Sequence, residues 1–278
     1  MSMSLDTAID RSAAPAAVRV AVERLTEAEP KLRHRLEDDR SLQSAVVVVT
    51  AASRSLTELL LSDPSALDVL ADLDLRPAFD EGDDLRRWKR LELLRIAARD
   101  LLGLDDLPVV GAALARLAAE VLAAAHTAAG ADLAIIGMGK LGGAELNYSS
   151  DVDIMFVGSG PAEDDARAAR AVLDVARTCF RVDVDLRPEG RDGPLVRSLE
   201  SYEAYWDRWA HTWEFQALLK ARPVAGDAAL GDRFYAAAQT RLWQRPFTAE
   251  DLRAVRAMKA RAEAELAKKG LTEREVKR

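Results

Sequence analysis

The chain has 278 residues, 49% hydrophobic and 31% charged, with a formal net charge of −7, which is enough for one large domain or two moderate ones. The acidic balance argues against non-specific nucleic-acid binding, yet it leaves nucleotide substrates open, because a metal ion can supply local positive charge. A single cysteine, Cys179, excludes an intrachain disulfide framework and fits a reducing, cytoplasmic setting.

In chain order, residues 1–14 are small and polar and are expected to fray. No basic segment precedes an apolar run there, and no apolar run is expected to approach the ~20 residues of a membrane span. From Ala16 to Val109 the spacing predicts helices, with Pro15 at the start of the first and Leu25, Leu32 and Leu36 in helical register. Ala45–Ala52 reads as a buried helix turn or strand. Ser62-Asp-Pro64 reads as a stop and restart, with Asp63 capping and Leu67, Leu70 and Ala71 on the next helix's inner face. Asp80–Asp84 is expected to be a solvated turn before a helix from Trp88 to Leu102. Gly111–Ala129 reads as an alanine-rich helix closed by Gly130.

The texture then changes. Leu133–Ile136, Val152–Val157 and Val182–Leu186 read as three short strands, with a helix at Ala162–Phe180 whose inner face carries Ala168, Val172 and Val175. This order places a small sheet between helical parts. Cys179, in the apolar pattern of that helix, is expected as a buried core thiol. After the loop Glu189–Pro194 helices resume near Ser198, and Trp206, Trp209, Trp213 and Trp243 are expected in the core. Residues 249–269 predict a charged helix ending at Gly270. Leu271–Arg278 is polar without a clear stop, so the chain reads as cut.

Asp151 and Asp153 stand two apart in Asn147-Tyr-Ser-Ser-Asp-Val-Asp-Ile154. On a strand, residues i and i+2 share a face, and two adjacent carboxylates repel unless a cation lies between them. Hard divalent ions such as Mg²⁺ take such oxygens and keep open positions for phosphate. The plain alternative is two solvated acids at a strand end. A third acid can come from Asp183 or Asp185 in Arg181-Val-Asp-Val-Asp-Leu-Arg187, which share a face if that strand neighbours the second. Such a site suits in-line phosphoryl or nucleotidyl displacement.

Gly137, Gly139 and Gly142 match a dinucleotide-binding fingerprint after a strand. Only about fifteen residues separate Ile136 from Val152, too few for a helical parallel crossover, and the expected downstream acid is missing. A glycine turn at a short helix start, with backbone N–H groups facing a phosphate, is the better reading. Lys140 can add charge there or be a surface lysine; Ser150 can bond phosphate or its own turn. Arg187 can reach a phosphate or form a plain salt bridge. His34, His126 and His211 are scattered, and Glu214, Lys220 and Arg222 follow the tryptophan cluster as weaker candidates.

Gly137–Ile154 resembles the signature of the glutamine synthetase adenylyltransferases, also called glutamate–ammonia-ligase adenylyltransferases. Arg181–Leu195 looks like that family's second signature and Trp213–Arg222 like its third. The resemblance implies an α+β fold: a nucleotidyltransferase sheet domain of the DNA polymerase beta type, flanked by mainly α-helical regions. It implies helical residues 1–108, a catalytic region 109–235, and the truncated start of a helical region at 236–278. By analogy Asp151, Asp153 and Asp183 are the metal ligands, with Mg²⁺ as cofactor, and Gly137, Gly139, Lys140, Gly142, Ser150 and Arg187 contact nucleotide or phosphate.

The family's members are longer and bifunctional. The N-terminal half removes AMP from a tyrosine of glutamine synthetase by phosphorolysis, giving ADP, and the C-terminal half attaches AMP from ATP. Glu145-Leu-Asn-Tyr148 and the helical leader resemble the removing half. The implied partners are glutamine synthetase, nucleotide, inorganic phosphate and a nitrogen-signalling regulatory protein, with neither nucleic acid nor membrane. The competing readings are the adenylylating half and a catalytically silent binding module. Two departures stand out. The chain stops at Lys277-Arg278, before a glycine-rich stretch common in the family, and Asp185 lies where many relatives carry a basic residue.

Overall fold

The computed structural model describes residues 4–80, 82–130 and 132–268. The expected stop at Gly270, the polar end Leu271–Arg278 and the first three residues lie outside them. The chain divides into two compact units. One comprises Met1–Ala124, Ala144–Ser150 and Val175–Phe180; the other comprises Ala125–Gly143, Asp151–Asp174 and Arg181–Arg278.

The first unit carries α1 (Leu5–Asp10), α2 (Pro15–Ala28), α3 (Leu32–Asp38), α4 (Arg40–Ala52), α5 (Arg54–Ser62), α6 (Ser65–Ala71), α7 (Leu85–Leu101) and most of α8 (Leu107–Ala129). Residues 5–10 do not fray. The Ser4 hydroxyl accepts the Thr7 N–H as an N-cap, and Leu5, Ala8 and Ile9 are buried on one face. The same device recurs: Asp39 caps α4, Ser53 caps α5, and Asp84 caps α7 by accepting from Arg86 and Arg87 N–H. Asp63 accepts the Ser65 N–H at 3.1 Å as α6 begins. Ala45–Ala52 is the second half of α4. The core draws on Leu25, Leu32, Leu36, Leu42, Val46, Leu59, Leu70 and Leu94. Inside it the fully buried Glu92 is paired with Arg95 at 2.8 Å and Arg76 at 2.7 Å, because a buried charge persists only with partners.

α8 corrects two expectations. It begins before Gly111, and its 23 residues are long and apolar enough, by length and composition, to cross a membrane. Its Val110, Leu114, Leu117 and Val121 are nonetheless buried inside the protein. The division into units falls within this helix, after Ala124, whereas the family resemblance implies a boundary at 108/109.

The second unit is built on β1 (Leu133–Gly137), β2 (Val152–Gly158), β3 (Val182–Asp183), β4 (Val196–Ser198) and β5 (Arg222–Gly226). β1 is central, antiparallel to β2 (Ile136 opposite Met155) and to β5 (Gly137 opposite Arg222). β2 is parallel to β3 at one end and to β4 at the other. Every residue of β1 and nearly every residue of β2 is buried, as their unbroken apolar runs require. The antiparallel β1–β2 pairing removes the parallel crossover that a dinucleotide fingerprint needs.

Around the sheet lie α9 (Gly139–Gly142), α10 (Ala162–Ala176), α11 (Leu199–Arg208), α12 (Thr212–Leu218), α13 (Ala228–Gln244) and α14 (Ala249–Lys268). α10 buries Ala169, Val172, Leu173 and Ala176, so the expected face is shifted by one residue, with Ala168 and Val175 at its border. It stops at Ala176 rather than Phe180, which leaves Cys179 half-buried in the following turn instead of in a core. Trp206 packs with Tyr202 and Phe234 in the core. Trp209, Trp213 and Trp243, expected beside it, are 60%, 40% and 72% exposed. For Trp209 and Trp213 the reason is the break between α11 and α12, so their three-to-four spacing from Trp206 does not run along one continuous helix; Trp243 lies near the end of α13.

Candidate active site

The glycine segment connects β1 to α9 at close quarters. Gly139 has φ +49°, and a Cβ on it would stand 2.7 Å from the Asp153 carboxylate oxygen Oδ2. A Cβ on Gly142 would meet the Lys220 carbonyl oxygen at 1.9 Å and that of Gly137 at 2.5 Å; one on Gly137 would strike the Val224 side chain at 2.7 Å. The three glycines thus permit close backbone approach. The Met138 N–H donates to the Asp153 carbonyl at 2.8 Å. Arg222 on β5 donates from Nε to the Gly142 carbonyl at 3.1 Å and from Nη2 to that of Leu141 at 3.3 Å, bracing the last carbonyls of α9.

The acids are placed by strand pairing. Asp151 immediately precedes β2, Asp153 is its second residue, and in the parallel β2–β3 register Asp153 lies opposite Asp183. β3 is shorter than expected, because the Asp185 N–H turns back onto the Asp183 carboxylate at 2.7 Å. Asp185 therefore leaves the strand. Its carboxylate is paired with Arg191 at 2.6 Å and lies 3.7 Å from Arg187.

Asp153 is half-buried, and its carboxyl is pushed up to about 6. Burial is the main cause, and the Asp183 and Asp151 charges add to it against the opposing charge of Lys140. Asp151 is held by the Arg181 Nε at 2.7 Å. Among the described residues no three His, Cys, Asp or Glu side chains converge closely enough to hold a metal ion, as expected where two of the acids have other partners and all three repel. The donor chemistry is nevertheless that of a hard divalent cation: Asp153 and Asp183 lie opposite each other on the β2–β3 pair with Asp151 beside them, and the Asp153 anion is disfavoured by burial first and then by both neighbouring charges.

The remaining candidates are distributed unevenly. Lys140 is exposed on α9. The Ser150 hydroxyl donates to Asn147 Oδ1 at 2.8 Å, closing its own turn, and it falls in the first unit. Arg187 is buried; it donates to the Val184 carbonyl at 2.8 Å and more weakly to those of Arg191 and Gly193, bracing its loop from inside. Glu214 is buried, and its Oε2 accepts the His211 N–H at 2.8 Å to cap α12. His34 is an exposed partner of Asp38. Sequence reasoning missed Arg181 and Arg191 as the charge partners of the acids; the only signal for Arg181 is its i−2 position to Asp183.

The sequence model of the family described as Glutamate-ammonia ligase adenylyltransferase matches residues 78–177 and 171–237. A protein of Streptomyces coelicolor named bifunctional glutamine synthetase adenylyltransferase/adenylyl-removing enzyme is 42% identical over 266 residues, covering 80% of this chain and 27% of the relative. A protein of the same name from Mycobacterium tuberculosis H37Rv is 40% identical over 260 residues, covering 81% and 26%. One from Cutibacterium acnes is 45% identical over 195 residues, covering 60% and 20%. The chain thus spans about a quarter of the length of the first two of these curated relatives.

Proposed function

Since the chain belongs to the glutamate-ammonia ligase adenylyltransferase family, we propose that it is the catalytic part of an adenylyl-removing half, releasing AMP from a tyrosine of glutamine synthetase by phosphorolysis. The observation that carries a nucleotidyl-transfer site is the Asp153–Asp183 rung with Asp151 beside it. The choice of direction is supported by Glu145-Leu-Asn-Tyr148 and the helical leader, which resemble the removing half. We read the sheet as a DNA polymerase beta-type nucleotidyltransferase core within 109–235, flanked by the helical regions 1–108 and 236–278, working in the cytoplasm and answering to a nitrogen-signalling protein.

In this reading an inorganic phosphate oxygen attacks the AMP phosphorus, the phosphorus–tyrosyl oxygen bond breaks, ADP forms and the tyrosyl oxygen takes a proton. Asp151, Asp153 and Asp183 would hold Mg²⁺, which supplies positive charge for the phosphoryl oxygens. The glycine turn at Gly137, Gly139 and Gly142, with Lys140, contacts the phosphates, and Arg187 keeps the adjoining loop in shape. Incubation with AMP-tyrosyl glutamine synthetase, Mg²⁺ and labelled phosphate should yield labelled ADP. ATP-dependent labelling of unmodified synthetase would overturn the assignment of direction, and neither product would favour a silent binding module.

The two acids of β3 and its following turn should behave differently. Asp183→Ala is expected to lower turnover by at least about two orders of magnitude, the scale of losing a key electrostatic group. Asp185→Ala should cost far less, because Asp185 pairs with Arg191 outside the strand. A larger loss in Asp185→Ala than in Asp183→Ala would contradict the role given to the β2–β3 register.

A further inference from the structure

We propose that Arg181 is a built-in counter-cation: it holds Asp151 in the metal-free protein, yields that carboxylate to an arriving divalent ion, and then serves as a phosphate-binding group. The inference rests on the reading of Asp151, Asp153 and Asp183 as the metal-binding face. It starts from backbone register. The Val152 N–H donates to the Arg181 carbonyl at 2.9 Å, and Val152 and Asp153 lie opposite Val182 and Asp183. Asp151 and Arg181 are therefore the next rung of the same parallel pair. Side chains alternate along a strand, so Arg181 shares the face of Asp183, as Asp151 shares that of Asp153. The face carries three carboxylates and one guanidinium, and the guanidinium contacts one of the acids, with Nε 2.7 Å from Asp151 Oδ1.

That contact sets up a competition. A guanidinium and a divalent cation repel each other and seek the same carboxylate oxygens, so metal binding at Asp151 must displace Arg181. The displacement is easy here, because the Arg181 side chain is 75% exposed and that of Asp151 49%; an exposed pair is weakly held. Arg187, four residues before Arg191 on the same loop, is a contrast: it is buried among carbonyls and cannot be handed over. Once displaced, the Arg181 guanidinium stays tethered near that carboxylate by the backbone leading into β3. Its planar fork matches phosphate oxygens. Metal and anionic substrate then promote each other's binding, and the coupling is reciprocal.

The test is calorimetric titration of the full chain with Mn²⁺ at low salt, without nucleotide, followed by ADP titration at saturating Mn²⁺. Arg181→Gln should bind Mn²⁺ about two- to five-fold more tightly than the wild type, the range expected for removing an exposed ion pair. In the second titration it should bind ADP about tenfold more weakly, the scale of one charge-assisted hydrogen bond. Arg181→Lys should stay near the wild type in the first titration. Arg191→Gln removes the same charge from Asp185 and controls for bulk electrostatics, so its Mn²⁺ gain should be clearly smaller. Unchanged Mn²⁺ affinity in Arg181→Gln, an equal gain in Arg191→Gln, or unchanged ADP affinity overturns the inference alone. A wild-type chain that binds no Mn²⁺, or an Asp153→Asn chain that binds it equally well, overturns the metal reading and the inference together.

Discussion

Asp153→Asn should abolish turnover and, in the metal-free protein, raise stability at neutral and higher pH. Burial first, and then the Asp183 and Asp151 charges, push the Asp153 carboxyl up to about 6 from an ordinary 3.8. A raised carboxyl holds its proton more tightly folded than unfolded. Its stabilising contribution is therefore fully present below about 3.8 and is lost as pH rises through about 6, above which the folded protein carries an unfavourable buried anion. Asparagine keeps the shape and removes the charge. The melting temperature of the variant should exceed that of the wild type at pH 8, and the gap should close as the pH falls from 6 towards 4. Added Mg²⁺ should narrow the gap from the wild-type side, since a bound cation offsets the same charge. The loss of rate should reach at least about two to three orders of magnitude. Full activity of Asp153→Asn at saturating Mg²⁺ would remove Asp153 from the chemistry.

Gly142→Ala is expected to be the most damaging single-methyl change in the site region, lowering unfolding stability by about 3 kcal/mol or more. Its Cβ would lie 1.9 Å from the Lys220 carbonyl oxygen and 2.5 Å from that of Gly137. Both obstacles are backbone, and the first belongs to the segment leading into β5, so relief means shifting α9 away from the sheet. Gly139→Ala meets a softer obstacle. Its nearest neighbour is the end of the Asp153 side chain, which can rotate, and the φ of +49° adds strain of about 1 kcal/mol. Urea unfolding of the two variants should rank Gly142→Ala well below Gly139→Ala, while Gly139→Ala should show the larger change in activity relative to its stability loss, because it displaces Asp153. Equal and small losses in both would mean that the turn yields more readily than its packing implies.

The parts of this fold that were readable in sequence are those with local causes. β1 and β2 announce themselves as unbroken apolar runs because both are covered, and Asp63 announces a helix start because the cap is a short-range hydrogen bond. β4 and β5 carry no such pattern: they are three and five residues long, and β5 includes Pro223, tolerated on an edge. They are strands because β2 and β1 lie alongside. α1 was hidden by its small and polar surroundings although Leu5, Ala8 and Ile9 have helical spacing. The Asp151–Asp153 pair was legible from spacing, but spacing treats Asp183 and Asp185 alike. Only family resemblance preferred Asp183, and the turn that takes Asp185 out of the strand depends on a side chain accepting a backbone N–H two residues on, which no periodicity encodes.

The placement of the tryptophans has a spectroscopic consequence. Of the five in the chain, Trp88 alone belongs to the first unit. It is buried, its indole N–H donates to the Pro77 carbonyl at 3.0 Å, and its ring lies 4.9 Å from that of Phe79. Its emission should therefore be blue-shifted in the folded unit and move red when that unit opens. Trp209, Trp213 and Trp243 already face water, so they change little in wavelength, and Trp206 is the buried lamp of the second unit. Paired Trp88→Phe and Trp206→Phe variants would give each unit its own optical signal, and the melting of one could be followed against the other in an uncut chain.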